Sequence, residues 1–140
     1  MSVDLGHWEY AGDKEIPDFF YGFIYVIINN LTNKKYIGKK QCLSHRTKKP
    51  LKGKKNKRHT TKESDWKIYT GSNKALNEDI KLNGINNFKF YILKFCQSKW
   101  ELAYEEIKLQ LQENVSLSEN YYNGIINVRL GRPPASFKDN

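Results

Sequence analysis

Residues 23–28 are Phe23-Ile24-Tyr25-Val26-Ile27-Ile28, and residues 34–38 are Lys34-Lys35-Tyr36-Ile37-Gly38. The first run is β-branched and aromatic throughout, a composition that is enriched in strands, and the second has the same character around its tyrosine. Between them, Asn29-Asn30-Leu31-Thr32-Asn33 has the composition of a turn. We therefore predict a β-hairpin over these residues.

Helix and strand patterns alternate after the hairpin. Ser72 is predicted to cap a helix that ends at Asn83-Gly84, because apolar residues recur between them near helical spacing. Residues 88–93 alternate with period two and predict a third strand, and Ser98 is predicted to cap a second helix. The predicted order is β-β-α-β-α. This is an α/β arrangement of the α+β type, with a small three-stranded antiparallel sheet flanked by helices.

Length and composition indicate one globular domain. The chain has 140 residues, is 39% hydrophobic and has a mean hydropathy of −0.75. Its longest apolar run, residues 23–28, is far shorter than the ~18–20 residues that cross a bilayer, which excludes a membrane-spanning protein. Cys42 and Cys96 are too few for a disulfide framework or a four-ligand zinc site. The N-terminus lacks the pattern of a secretion signal, so we expect a cytoplasmic location.

Positive charge is concentrated in one block. The formal net charge is +9, and residues 39–62 contain eleven Lys or Arg and no acid. Such a block repels itself, so we predict a long basic loop after the hairpin. A solvated flexible loop or a nuclear-localisation-like tract is one interpretation, but a pI near 9.5 favours phosphate binding through counterion release. The predicted DNA-binding residues are Lys39, Lys40, Lys48, Lys49, Lys52, Lys54, Lys55, Lys57, Arg58 and His59.

The ends of the chain differ from its middle. Residues 1–21 are acidic and aromatic, and we expect them to pack on the domain, either balancing the basic face or extending the core. Residues 22–129 are predicted to form the domain itself. Residues 130–140, with Gly131, Pro133 and Pro134, are predicted to be a C-terminal tail.

The hairpin also carries a known pair of motifs. Phe23-Ile24-Tyr25 and Tyr36-Ile37-Gly38, ten residues apart, resemble the signature of the GIY-YIG nuclease family, with Phe in place of the first Gly. Arg46 stands eight residues after Gly38, at the spacing of an essential Arg in that family. Glu105 and Glu106 fall in the helix that carries the family's metal-binding Glu, and Tyr122-Asn123 is similar to the residues that close the family's domain.

The resemblance implies roles for particular residues. It implies that Tyr25 and Tyr36 line the active face, that Arg46 holds the scissile phosphate, and that Asn123 supports the site. Glu106 is preferred to Glu105 as the metal ligand, because the family pattern places a large apolar residue three positions later, which Leu109 satisfies. Tyr69 is preferred to His59 as a further site residue. The resemblance favours Tyr25 over Tyr36 as the group that deprotonates or orients the water, and the sequence does not decide between the two.

The resemblance also implies an activity. It points to a metal-dependent endodeoxyribonuclease of the stand-alone phage or mobile-element type, using Mg²⁺ or Mn²⁺, acting on double-stranded DNA, and located in the host cytoplasm if phage-encoded. A homing, a restriction and a DNA-degrading role are all open, as is a homodimer. The alternatives are a non-catalytic DNA- or RNA-binding module and a nucleoid-type structural protein. A binding module has no need of Glu106 and binds equally well in EDTA.

Overall fold

The computed structural model describes residues 4–48, 52–53, 55, 58–124 and 130–137, with the backbone alone for 44–48 and 58–61. Within these residues, six strands and two helices follow one another as β1 (Glu9–Tyr10), β2 (Gly22–Asn29), β3 (Lys35–Gln41), β4 (Leu43–Lys48), β5 (Arg58–Glu63), α1 (Lys74–Asn83), β6 (Phe88–Cys96) and α2 (Lys99–Gln112). Short 3-10 helices span Trp66–Ile68, Ile85–Asn87 and Val115–Leu117. The fold is therefore mixed α+β, as predicted.

The main sheet has the strand order β1-β6-β2-β3. The predicted hairpin is present as β2 and β3, in which Tyr25 lies opposite Gly38, and β6 pairs antiparallel to β2 on the other side. The prediction of three antiparallel strands is wrong in one respect, because Glu9–Tyr10 adds a fourth strand parallel to β6. Two residues are too few to show a periodicity, and this strand is held by its pairing with the edge of β6 and by the contact of the Tyr10 ring with Phe95.

The predicted basic loop is also corrected. Its first residues continue β3 as far as Gln41, and the rest contains the antiparallel pair β4 and β5, which forms a separate two-stranded sheet. We call this pair the basic ribbon. Its base is tied to the domain, since Cys42 N–H donates to Tyr21 O and Ser64 N–H donates to Cys42 O, both at 2.8 Å.

The central strand β2 is buried on both faces. Phe23, Tyr25 and Ile27 pack with the N-terminal segment, Trp66 and α1, and Ile24 packs on the opposite face with α2. This explains why residues 23–28 are apolar throughout and do not alternate with polar residues. Two free cysteines, Cys42 and Cys96, lie in these clusters.

Side-chain caps fix the starts of both helices. Ser98 Oγ accepts from Glu101 N–H at 3.1 Å and caps α2, as predicted. The cap of α1 is Asn73 and not the predicted Ser72, because Asn73 Oδ1 accepts from Leu76 N–H at 3.0 Å. Ser72 therefore does not cap α1 and belongs to the site described below.

The N-terminal segment is part of the core. Trp8 is only 3% exposed, its Nε1–H donates to Trp66 O, 2.6 Å away, and its ring lies against Tyr25. At the other end of the chain, Trp100 Nε1–H donates to Gly131 O at 2.9 Å and Phe137 packs on the Trp100 ring. Among the residues described, no helix combines the length and apolar character needed to cross a membrane.

Candidate active site

A pocket of about 540 Å³ opens where β3, the start of α1, the middle of α2 and the segment after Val115–Leu117 meet. Its lining residues are Tyr36, Ser72, Asn73, Glu106, Gln110, Tyr122, Asn123 and Gly124. The sequence predicted Tyr36, Glu106 and Asn123 as site residues from widely separated positions. The fold brings these three into one pocket.

Glu106 is the only acid among the described residues that line this pocket. Burial raises the pKa of its carboxyl above the usual value for a glutamate, while the charge of Lys39 and a hydrogen bond from the Lys39 backbone act in the opposite direction. Gln110, one helical turn further along α2, donates from Nε2 to Ile37 O at 3.0 Å and fixes the helix to β3. The pocket therefore holds one partly desolvated carboxyl on a rigid support.

Glu105 lies elsewhere. Its Oε1 is 2.9 Å from Lys94 Nζ, across α2 from the pocket, in an ion pair on β6. The two acids are adjacent in the sequence. Because a helix turns about 100° per residue, their side chains leave α2 in different directions.

Tyr36 reaches the pocket with its hydroxyl. Tyr36 Oη lies 3.2 Å from Ser72 Oγ, in a hydrogen bond that either group can donate. Burial is the main cause that raises the pKa of this phenol, so it is protonated at neutral pH. Tyr36 can therefore both accept and donate a hydrogen bond inside the pocket.

Tyr25 lies behind that surface. It is 1% exposed and is absent from the residues that line the pocket. Burial raises its pKa well above the usual value for a phenol, with further contributions from Tyr36, Tyr69 and Glu106. Its ring centroid is 6.1 Å from those of Tyr36 and Tyr69, so the three tyrosines form one aromatic layer beside the pocket.

Tyr69 connects this layer to the cations of β3. Lys40 Nζ lies 4.0 Å from the centroid of the Tyr69 ring, within the range of a cation–π contact. The same ammonium is 2.8 Å from Asp65 Oδ1, and this bond lowers the pKa of Asp65. Lys40 is therefore engaged within the protein, whereas Lys39 is exposed.

Asn123 supports the edge of the sheet. Its Nδ2–H donates to Ile37 O at 2.8 Å and its Oδ1 accepts from Ile37 N–H at 3.0 Å, so the side chain acts as a short strand beside β3. Tyr122 Oη donates to Asp79 Oδ2 at 2.6 Å and accepts from Asn29 Nδ2 at 3.1 Å. These bonds hold the segment after α2 against the pocket wall.

The remaining predicted residues that the structure describes beyond β3 lie in or near the basic ribbon. Arg46 is in β4 opposite Thr60, and Lys48, Arg58 and His59 also belong to the ribbon strands. Lys52 and Lys55 are exposed. Lys49, Lys54 and Lys57 fall outside the described residues. The structure thus assigns Arg46 to a different sheet from the one that carries Tyr36.

Sequence reasoning did not assign a site role to five lining residues: Ser72, Asn73, Gln110, Tyr122, which was noted only as the neighbour of Asn123, and Gly124. Gln110 had a usable signal, since it follows Glu106 by four positions and so shares its helix face. Ser72 and Asn73 read only as helix-start residues, and no pattern in the sequence distinguishes a cap that also faces a pocket.

The fold and the pocket together define a class of protein. A mixed α+β domain with one pocket carboxyl, a neighbouring phenol and a strongly basic ribbon has the character of a small nuclease domain. The family model described as "Putative endonuclease segE, GIY-YIG domain" matches residues 8–126, and the chain belongs to this GIY-YIG family. Neither a curated protein nor a solved structure matches the chain.

Family membership implies a nuclease that acts on DNA, and GIY-YIG nucleases generally depend on a divalent metal ion. The described residues of the pocket fit such an ion as a site with a single carboxylate. Among the described residues no group of three His, Cys, Asp or Glu side chains could enclose a metal. Mg²⁺, however, is commonly held by one or two carboxylates and completed by water and substrate phosphates, and Glu106 in an open polar pocket fits that type of site.

Proposed function

We propose that the chain is a divalent-metal-dependent endonuclease that hydrolyses phosphodiester bonds of double-stranded DNA at the pocket around Glu106. The observation that carries this proposal is the location of Glu106. A carboxyl that α2 holds partly desolvated, within a polar pocket that also contains the Tyr36 hydroxyl, works against folding at neutral pH but has the chemistry of a nuclease site.

Glu106 would hold the ion, Mg²⁺ or Mn²⁺, with water and phosphate oxygens as the other ligands. When bound, such an ion supplies Lewis acidity at the scissile phosphate and favours ionisation of water. The protein's own part is to keep the Glu106 carboxylate in place. The Lys39 backbone hydrogen bond and the anchoring of α2 by Gln110 serve that purpose.

Tyr36 is our candidate for the group that orients the attacking water. Its hydroxyl lies at the pocket surface and is positioned by Ser72, whereas Tyr25 is enclosed behind it. Because the Tyr36 phenol is neutral at pH 7, we assign it hydrogen bonding to the water, not removal of its proton. Tyr36→Phe should lower turnover at least 100-fold with DNA affinity unchanged, and Tyr25→Phe, which leaves the pocket surface intact, should lower it less. The reverse order would assign the role to Tyr25.

Arg46 is our candidate for the phosphate contact of the transition state. A guanidinium can bind two phosphate oxygens at once, and an ammonium cannot reproduce that fork. Arg46→Lys should therefore reduce turnover far more than DNA affinity. Equal effects on both quantities would make Arg46 an ordinary member of the basic ribbon.

The test of the nuclease proposal is cleavage of supercoiled plasmid with Mg²⁺ and with EDTA. Wild-type protein should cleave with Mg²⁺ alone. Glu106→Gln should abolish cleavage and leave DNA binding intact, because it removes the metal ligand and keeps the size of the side chain. Glu105→Gln is the matched control, since it makes the same change one position earlier, outside the pocket.

Three results would contradict the proposal. Cleavage by Glu106→Gln at the wild-type rate would remove Glu106 from the site. Loss of activity in Glu105→Gln alone would assign the role to the neighbouring acid. Undiminished cleavage in EDTA would exclude the metal dependence.

A further inference from the structure

The register of the basic ribbon sorts its charges by face. Directly opposite positions of an antiparallel pair share a face, and so do positions two apart along a strand. The pairs Ser44 with Lys62, Arg46 with Thr60 and Lys48 with Arg58 therefore form one face. The pairs Leu43 with Glu63, His45 with Thr61 and Thr47 with His59 form the other.

All the lysines and arginines of β4 and β5 thus belong to one face. It contains Arg46, Lys48, Arg58 and Lys62, whereas the other contains no lysine or arginine and has Glu63 at its base. We call these the cationic face and the neutral face. The strand register places these four residues at positions of the same face.

Repulsion between the charges of the cationic face is expected to destabilise the basic ribbon. Lys48 lies directly opposite Arg58, and like charges in that position destabilise a sheet. A two-stranded sheet is only marginally stable in water to begin with. A polyanion on this face would remove the repulsion, so the charge arrangement suits a bound state better than a free one.

We propose that the cationic face of the basic ribbon is the surface that docks on the phosphate backbone of duplex DNA, with the neutral face turned away from it. This rests on the proposed function in taking DNA as the substrate. Cations two residues apart on a strand stand about 6.8 Å from one another, and the major groove of B-DNA admits a two-stranded ribbon. The bonds of Cys42 to Tyr21 and Ser64 fix the ribbon to the domain that carries the pocket.

The test moves charge between faces without changing composition. The swap variant combines Thr47→Lys, Lys48→Thr, Arg58→His and His59→Arg, which transfers two cations to the neutral face. The deletion variant, Lys48→Thr with Arg58→His, removes the same two cations from the cationic face. Both are made in the Glu106→Gln background, and binding to a labelled 30-base-pair duplex is measured against salt at pH 8, where histidine is neutral.

We expect the swap variant to lose as much affinity as the deletion variant. Each phosphate contact contributes about 0.9 to the salt slope, so both should lose about 1.8 in slope and bind roughly 10-fold weaker or more. With single-stranded DNA of the same length, the difference in affinity between the swap variant and the parent should be smaller than with the duplex. Thr47→Lys with Lys48→Thr, which moves one cation alone, should lose about 0.9 in slope.

Binding of the swap variant with the parent's affinity and slope would overturn the proposal, because net charge alone would then suffice. An equal loss on single strands and duplex would overturn its duplex part. Circular dichroism and thermal melting confirm that the variants are folded, and the single-cation variant gives an independent answer. Plasmid cleavage by the wild-type protein is measured separately. Face-dependent binding without cleavage would contradict the nuclease proposal alone, and cleavage with face-independent binding would contradict the docking proposal alone.

Discussion

Gly38 is where side-chain size matters most in the hairpin. It lies opposite Tyr25, and a Cβ added to it would stand 2.5 Å from the Tyr25 hydroxyl oxygen and 3.0 Å from the Tyr36 ring. Tyr25 cannot yield easily, because it is fully enclosed and its ring lies 5.0 Å from that of Trp8. The glycine of Tyr36-Ile37-Gly38 is therefore required by the close approach of two aromatic rings.

Replacing this glycine should destabilise the protein. We expect Gly38→Ala to lower the free energy of unfolding by about 1–3 kcal/mol through overpacking, measured by urea denaturation. Gly124→Ala is the control at the pocket, since a Cβ there meets no described atom within 4 Å. Equal stability of the two variants would mean that the tyrosine layer can shift to admit a methyl group.

The raised pKa of Glu106 has a consequence for stability. A carboxyl whose pKa is higher in the folded than in the unfolded state binds more protons when folded, so stability falls as pH rises from 4.5 through the folded pKa. At neutral pH the ionised Glu106 therefore weakens the fold. Below pH 4.5 that penalty is absent.

Glu106→Gln should accordingly raise the Tm at pH 7 and leave it unchanged at pH 4. Glu105→Gln should behave differently, because it removes the partner of Lys94 in an ion pair. Thermal melts of both variants at the two pH values check this. A lower Tm for Glu106→Gln at pH 7 would show that the carboxylate is stabilised in the pocket by more than Lys39.

Helices and strands whose sequence has its own apolar periodicity were predictable, and strands that depend on pairing with another strand were not. The hairpin, β6 and both helices follow from apolar spacing and turn residues. The strand Glu9–Tyr10 follows from nothing in those two residues. The basic ribbon was mistaken for a loop because lysine is depleted in strands, although Thr47, Thr60 and Thr61 flank the turn-forming Pro50 and Gly53 and are typical of a hairpin.

The same distinction applies to the site. Glu106, Tyr36 and Asn123 could be placed by motif and spacing, and the pocket contains all three. The motif does not show that Tyr25 lies behind the pocket surface, because both tyrosines sit in strands and depth depends on what packs above them. The catalytic roles themselves and the domain limits at 22 and 129 stay predictions.

The N-terminal segment holds the turn that carries Tyr69. Trp8 Nε1–H donates to Trp66 O, His7 N–H donates to Lys67 O at 3.0 Å, and His7 Nε2 is bonded to Tyr69 O at 2.9 Å. Two carbonyls of the 3-10 helix Trp66–Ile68 and the carbonyl of its C-cap, Tyr69, are thereby hydrogen-bonded to two adjacent residues. The start of the chain fixes a wall of the tyrosine layer.

We expect Trp8→Phe to lower the free energy of unfolding by about 2–4 kcal/mol, because it opens a gap in the core and removes the indole hydrogen bond to the Trp66 carbonyl, which keeps only the longer one from Tyr69 N–H. Trp100→Phe is the matched control. It removes the same kind of indole bond, to Gly131, at a partly exposed site, and should cost less than about 1 kcal/mol. Similar losses in the two variants would show that Trp8 is not a core element.

At the scale of the whole molecule, the number of sites per copy determines the order of the cleavage products. Among the described residues, Tyr36, Glu106 and Asn123 meet in one pocket, so one copy is expected to address one scissile phosphate at a time. Supercoiled plasmid should therefore pass through a nicked circle before linear DNA appears. Quenched time courses, read with sedimentation at the same protein concentration, check this order of products.

Linear DNA without a nicked precursor from a sedimenting monomer would contradict the single-site interpretation. The same pattern from a dimer would instead indicate two sites related by two-fold symmetry. Increasing the protein concentration through the dimerisation range should then convert one pattern into the other.

The two native thiols, those of Cys42 and Cys96, do not react readily with labelling reagents. Burial raises the pKa of Cys42 to about 12 and raises that of Cys96 as well, so both stay protonated and enclosed at the pH of a labelling reaction. Lys55→Cys, at an exposed position near the tip of the basic ribbon, would provide the one reactive thiolate. A single fluorophore attached there would report in real time when the ribbon meets DNA, with no need to remove any native cysteine from the core.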